Sequence, residues 1–389
     1  MTQQQRKHSM SNELILNNAR IVTAEQIFVG SLHIQNGKIA DLDTRRSVLP
    51  GAQDLCGDYL MPGLIELHTD NLERHMSPRP GVDWPSLSAA ITHDAQVISS
   101  GITTVFDAVA IGDINPRSTR IVKLSPMLEA LENAERHQLM RAEHRLHLRC
   151  EVVHPETLEV FERLSSHPHL SLVSIMDHSP GQRQFVNLDK YRTYYMGKYA
   201  LNDKEMDELM ARQIKNAQAH SARQRRAIAT HCAVRKLPLA SHDDATQAHV
   251  EESVALGMAI AEFPTTGEAA SASHQKGLRV MMGAPNIIRG GSHSGNISAS
   301  TLAAQGVLDI LSSDYYPSSL LQAAMTLSGM EGYSLPRAIN TVSKIPAQTV
   351  GLSDRGEIKP GLRADLIQVR MHHKHPIIRQ IWRQGERVF

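Results

Sequence analysis

Between Leu60 and Ser313 the chain alternates short apolar runs, rich in β-branched residues, with longer amphipathic or polar stretches. The short runs read as buried strands and the longer stretches as helices. Strands are expected near residues 60–68, 102–109, 145–153, 170–176, 237–241, 259–263, 279–283 and 308–313. Helices are expected over 86–100, ended by Gly101, over 125–140, through the polar stretch 200–230, and over 246–257 and 265–276. The last of these opens on Thr265 with Glu268 three positions later, the spacing of a capping box. Segment 187–200 reads as a long loop. Eight strands separated mainly by helices predict an α/β fold, a (β/α)8 TIM-like barrel, with a doubly wound sheet as its rival.

The two ends follow another rhythm. ELILNNARIV, IFVGSLHIQNG and KIADLD read as short strands, with a tight hairpin at Asn36-Gly37, where both residues tolerate positive φ. GEIKPGLRADLIQVR and HPIIRQIWRQGERVF repeat that pattern at the far end. Neither portion has enough apolar residues for a core of its own, and two separate sheets would each leave exposed edges. One small β-sandwich domain is therefore expected from residues 13–57 and 349–389, with the barrel, 58–348, inserted between them and 1–12 as a loose leader.

The stretch DYLMPGLIELHTDNLER, residues 58–74, concentrates the first candidate chemistry. If it is a strand, His68 and Asp70 stand two apart and point to one side, as a metal-binding pair or as a turn anchor. Further polar residues fall at the ends of later strands: Glu151, Asp177 and His178, His242 with Asp243 and Asp244, Glu262 and Asp314. In a barrel those ends share one rim, so imidazoles and carboxylates distant in sequence converge there. Their repetition favours a one- or two-metal hydrolase over a set of unrelated turn residues.

Charge is nearly balanced, 41 Lys+Arg against 40 Asp+Glu, which removes any broad argument for nucleic acid or a membrane surface as partner. Cys56, Cys150 and Cys232 are widely spaced with no CxxC pair, as in a reducing compartment. The opening residues lack the apolar core of a signal peptide and no stretch approaches a membrane span, so a cytoplasmic protein is expected. A homo-oligomer is compatible with all of this.

PGLIELHTD, GITTVFDA, LSSDYYP and GLRADLIQV, set inside a split β-domain, resemble the amidohydrolase superfamily. HTDNLERHMSPRPGVDWP, AEHRLHLRCEV, LVSIMDHSPGQRQF, LASHDDAT, EFPTT and MGAPNIIRGGSHSGN are more unusual, and resemble its phosphonate-catabolising triphosphate diphosphatases of the carbon–phosphorus lyase pathway. That resemblance implies a barrel of amidohydrolase type and hydrolysis of a ribose 5-triphosphate between its α- and β-phosphates. It also implies a divalent metal, two ions per subunit, zinc first with manganese, iron or magnesium as alternatives. Asp70 departs from the second histidine that most of the superfamily carries, and no carboxylated lysine is evident after the fourth strand, so Glu151 is expected to bridge.

The expected metal set is His68, Asp70, Glu151, His178, His242 and Asp314, with Asp314 also taking the proton of the attacking water. Asp177, Asp243 and Glu262 are expected to orient those ligands from behind. Plainer readings remain for His178 as a turn residue, His242 as a core histidine and Glu262 as a structural acid. An anionic substrate needs donors, and Arg79, Arg183, Lys198, Arg289 and His293 are the local candidates, with Arg183 on a non-reacting phosphate. Arg145 and Arg149 alternate with His147 and Glu151 on one polar face of the third strand, without an evident target. A cyclic amide hydrolase of hydantoinase or dihydroorotase type is the alternative enzyme, and a non-catalytic binding protein on a degenerate barrel the alternative of another class.

Overall fold

The computed structural model describes residues 13–115, 118, 120–292 and 295–389. The leader expected over 1–12 lies outside the described residues. Among these, eight parallel strands form the barrel sheet in chain order: Leu64–Thr69, Ile102–Ile111, Glu143–Glu151, Leu170–Met176, Leu239–His242, Ile260–Glu262, Arg279–Gly283 and Ile310–Ser312. Its inside is plugged by Ile65, Leu67, Phe106, Leu172, Ala240, Ile260, Met281 and Ile310, all buried. Each such side chain stabilises the barrel by about 1.5–3 kcal/mol on burial if large.

Closure between the first and last strands is slight. Among the described residues one ladder bridge, Thr69 to Asp314, spans that seam; the Asp314 N–H donates to the His68 carbonyl at 3.1 Å. Lower down, the Thr341-Val342 turn fills the gap. It accepts from the Leu311 N–H at 3.1 Å and the Ile65 N–H at 2.9 Å.

The apolar run expected as one strand over 60–68 is two. Tyr59–Pro62 belongs to the terminal sheet and Leu64–Thr69 to the barrel. At Gly63, where the chain passes between them, a Cβ would lie 2.3 Å from Thr103 Oγ1, so the crossing requires glycine. Tyr59–Pro62 pairs with Glu13–Val22 on one side and with Leu366–His372 on the other, joining the two chain ends in one hydrogen-bonded sheet. The sheet curls over a core that includes Leu16, Ile34, Leu366 and Trp382. The Ile39 N–H donates to the Leu362 carbonyl, and the Ala364 N–H to the Gly37 carbonyl, each at 2.9 Å. No helix among the described residues is long and apolar enough to cross a membrane.

Two local expectations are corrected. The segment read as a loop over 187–200 is the helix Leu188–Tyr199, capped by Asn187, whose side chain accepts from the Asp189 and Lys190 N–H groups. Its buried face is Tyr191 and Tyr195, packed on Phe185 and Met206, so the stripe at helical spacing is aromatic. The helix expected to start at Thr265 is Gly267–Gln275; Thr266 caps it by accepting from the Ala269 N–H, so Glu268 is not placed for a box.

Candidate active site

The third strand aims His147 and Arg149 inward with Glu151, the first strand ends in His68 and Asp70, and the fifth, sixth and eighth supply His242, Glu262 and Asp314. Register shifts between Glu66 and Thr69 against the second strand, an irregularity that re-aims the strand end. Asp70 already stands beyond the strand, immediately before the helix Asn71–Met76. A cavity of about 320 Å³ opens here, lined by His68, Asp70, Glu151, His178, His242, Asp243 and Asp314 among others. All six expected metal ligands therefore meet at one mouth.

Glu262 organises the imidazoles. It is fully buried and accepts from His68 Nδ1 through one oxygen and from His242 Nδ1 through the other, both at 2.7 Å. This leaves the Nε2 lone pair of each ring for a ligand. Burial alone would raise the Glu262 carboxyl, but His68 and His242 hold it well below the usual range. Beneath His68 lies His147, hydrogen-bonded to the Leu67 carbonyl and Ser174 Oγ, each at 2.9 Å. Burial drives its pKa down to about 3, so it is a neutral part of the floor.

His178 and Glu151 touch directly, Nδ1 to Oε2 at 2.5 Å. Burial opposes charge on His178, but Glu151 and Asp243 outweigh it and push the imidazole up to about 9. Asp243 Oδ2 lies 3.7 Å from His178 Nε2 and 3.4 Å from His242 Nε2. Asp243 thus belongs inside the ring of donors; Glu262 has the orienting place. Asp177, expected to orient an imidazole, instead accepts from Arg225 at 2.8 Å and Ser179 Oγ at 2.5 Å.

These residues fit a divalent cation. Asp70 Oδ1 is buried with no hydrogen-bond partner. Burial and the adjacent Asp70 push the Asp314 carboxyl up to about 7, the mark of uncompensated negative charge that a cation would relieve. Imidazoles with carboxylates and no thiolate suit zinc, manganese or iron.

The expected substrate donors divide. Lys198 and Arg289 line the cavity, Lys198 with its ammonium 5.5 Å from the Tyr194 ring centre and 5.4 Å from that of Tyr199. Arg79 is exposed and outside the cavity lining, in a turn bridged to Val82. Arg183 is turned away: only 2% exposed, it pairs with Asp244 and, at 2.9 Å, with Glu252. Burial, with Arg225 nearby, pushes its pKa down to about 10. The phosphate-gripping role expected of Arg183 is corrected on that ground, because its donors face acids. His293 lies outside the described residues. Sequence reasoning missed Arg120, which pairs with Glu73 at 3.0 Å and Asp113 at 3.6 Å, and left Arg149 without a target; both line the cavity. The alternation on the third strand was the signal for Arg149.

Residues 99–389 match the amidohydrolase family. Along 378 residues, 97% of this chain and all of the relative, the sequence is 53% identical to the α-D-ribose 1-methylphosphonate 5-triphosphate diphosphatase of Escherichia coli (strain K12). The chain belongs to the amidohydrolase family. Among solved amidohydrolase-like folds it resembles an N-acetyl-D-glucosamine-6-phosphate deacetylase from Mycobacterium smegmatis, with TM-score 0.63 and 13% identity over 97% of this chain and 99% of that one. A dihydropyrimidinase from Brevibacillus agri gives TM-score 0.55 and 12% identity over 96% and 94%. At such identities the two structures share the fold alone with this amidohydrolase.

Proposed function

We propose that this amidohydrolase hydrolyses α-D-ribose 1-methylphosphonate 5-triphosphate to the 5-phosphate and diphosphate. The observation that carries the reading is the end-to-end 53% identity with the diphosphatase of that name. The cavity supports it, because a ring of imidazoles and carboxylates lies below a wall bearing Lys198, Arg120 and Arg289. A neutral cyclic amide would have no use for that cationic wall. In this reading the enzyme works in the cytoplasm on a phosphorylated sugar, without a nucleic-acid or membrane partner.

His68, Asp70, Glu151, His178, His242 and Asp314, joined by Asp243, would hold two divalent ions, zinc first. When bound, such ions lower the pKa of water and polarise a phosphoryl oxygen. The protein does the rest. Lys198 and Arg289 bind the outer phosphates, and Glu262 holds His68 and His242 by Nδ1 so that each Nε2 is left to face the cavity. Asp314, at the end of the eighth strand, accepts the proton of the attacking water. Attack in line on the α-phosphorus forms the new P–O bond as the α–β bridging bond breaks. Diphosphate leaves with that electron pair.

Turnover in oxygen-18 water tests the reading. One labelled oxygen is expected in the ribose 5-phosphate product and none in the diphosphate, read by mass spectrometry. Label in the diphosphate would move attack to the β-phosphorus. Release of single phosphate, or hydrolysis of a cyclic amide with no triphosphate turnover, would replace the reading.

A further inference from the structure

We infer that Arg149 is a catalytic residue that grips the scissile α–β phosphoanhydride itself, an inference that rests on the triphosphatase reading. Three observations combine. Arg149 stands two residues before Glu151 on the third strand and lines the same cavity. Two residues of strand rise about 6.6 Å, close to the reach of an arginine side chain, so its guanidinium can stand level with the ring of ligands.

It is also unpaired. Among the described residues Arg149 makes no ion pair, and its Nε is buried without an acceptor. The Nε atoms of Arg183 and Arg225 also lack an acceptor, but these side chains hold acids: Arg183 pairs with Asp244 and Glu252, Arg225 with Asp177 and Glu252, and Arg120 likewise with Glu73 and Asp113. The side chain is only partly buried, and a guanidinium open to the cavity with no acid beside it is free to take an anion. Finally, it lines one cavity with His68 on the first strand, Asp314 just past the eighth and Lys198 on the helix Leu188–Tyr199. Arg149 therefore shares its cavity with the groups assigned to water and with those assigned to the outer phosphates.

Lys198 and Arg289 sit on helices above the barrel rim, whereas Arg149 rises from the barrel wall. The phosphoryl that meets the water must come down to that wall, so the wall cation faces the bond that breaks. As the water oxygen bonds to the α-phosphorus, the bridging oxygen takes the electron pair, and the proton of water passes to Asp314. Negative charge grows on the bridging oxygen, where a planar fork of N–H donors strengthens its hold as the reaction proceeds. Such an interaction acts on kcat more than on ground-state binding.

The test compares Arg149→Gln, Arg149→Lys and Lys198→Met by steady-state kinetics and by calorimetric binding of an α,β-methylene analogue, which cannot be cleaved. Arg149→Gln should lower kcat by about 10²–10³-fold while the analogue binds within about threefold of wild type. Arg149→Lys should fall between, having the charge without the fork, and Lys198→Met should weaken analogue binding with a smaller effect on kcat. Unchanged kcat in Arg149→Gln, with analogue binding weakened instead, overturns the inference and makes Arg149 an ordinary phosphate grip. Should Arg149→Gln fail to fold, Arg149→Lys with wild-type kcat overturns it equally. Wild-type protein that leaves the ribose triphosphate intact refutes the triphosphatase reading; active wild type with an indifferent Arg149 refutes this inference alone.

Discussion

Glu262 divides its two oxygens between His68 and His242, at 2.7 Å each. A glutamine there keeps the shape but offers one acceptor and one donor, so one of the rings must turn its lone pair away from the cavity. Glu262→Gln is therefore expected to weaken divalent-metal affinity by about 10–100-fold, measured by competition against a chromophoric chelator; unaltered affinity would refute the orienting role. Arg183 makes the contrary case. In SPGQRQF it reads as a donor for phosphate, since nothing nearby in the chain announces that Asp244 and Glu252 arrive from other elements. Its place is structural, and Arg183→Met should cost about 3 kcal/mol or more by stranding buried acid, read as a lower urea midpoint with KM little changed. His68, Glu151, His242 and Asp314 were legible because each falls at a strand end or just past one. Asp243 was read as an orienting residue because its position beside two Nε2 atoms depends on a left-handed backbone, φ 59°, that no local pattern reveals.

The helix Ser86–Ser99 docks on the barrel through charge as well as apolar contact. His93 Nε2 and His144 Nδ1 each meet a different oxygen of buried Asp107 at 2.7 Å, and His144 Nε2 lies 3.3 Å from Asp94 on the helix. Asn71, next to Asp70, donates to His93 Nδ1 at 3.0 Å, so the cluster also braces the start of the helix Asn71–Met76 beside Asp70. Burial opposes charge on His144, but Asp107 and Asp94 push it up to about 10. Burial would likewise raise Asp107, yet His144 and His93 hold it well below the carboxylate range. A raised imidazole stabilises the fold fully below its unfolded value near 6.5 and loses that contribution as pH climbs through about 10. The urea midpoint of wild type should thus fall between pH 7 and 10.5 by more than that of His144→Gln; parallel profiles would refute the coupling. Element by element, apolar runs revealed the barrel strands because burial on both faces leaves a continuous signal. The helix Leu188–Tyr199 escaped because tyrosines and charges carry its pattern.

At the scale of the molecule, barrel order and the meeting of the chain ends both followed from local rhythm. The split at Gly63 did not, since a single apolar run can serve two sheets in succession. That split sets a timetable during synthesis. Tyr59–Pro62 leaves the ribosome early, and its partner Leu366–His372 arrives only after the whole barrel has been made. With about 300 residues between them, and translation at roughly 5–20 residues per second, the wait is about 15–60 s. Throughout it, Leu60 and Met61, both fully buried in the finished molecule, have an unpaired edge beside them. The early strands must stay unattached for that long or recruit the wrong neighbour. A strand translated late is therefore what lets an early one settle.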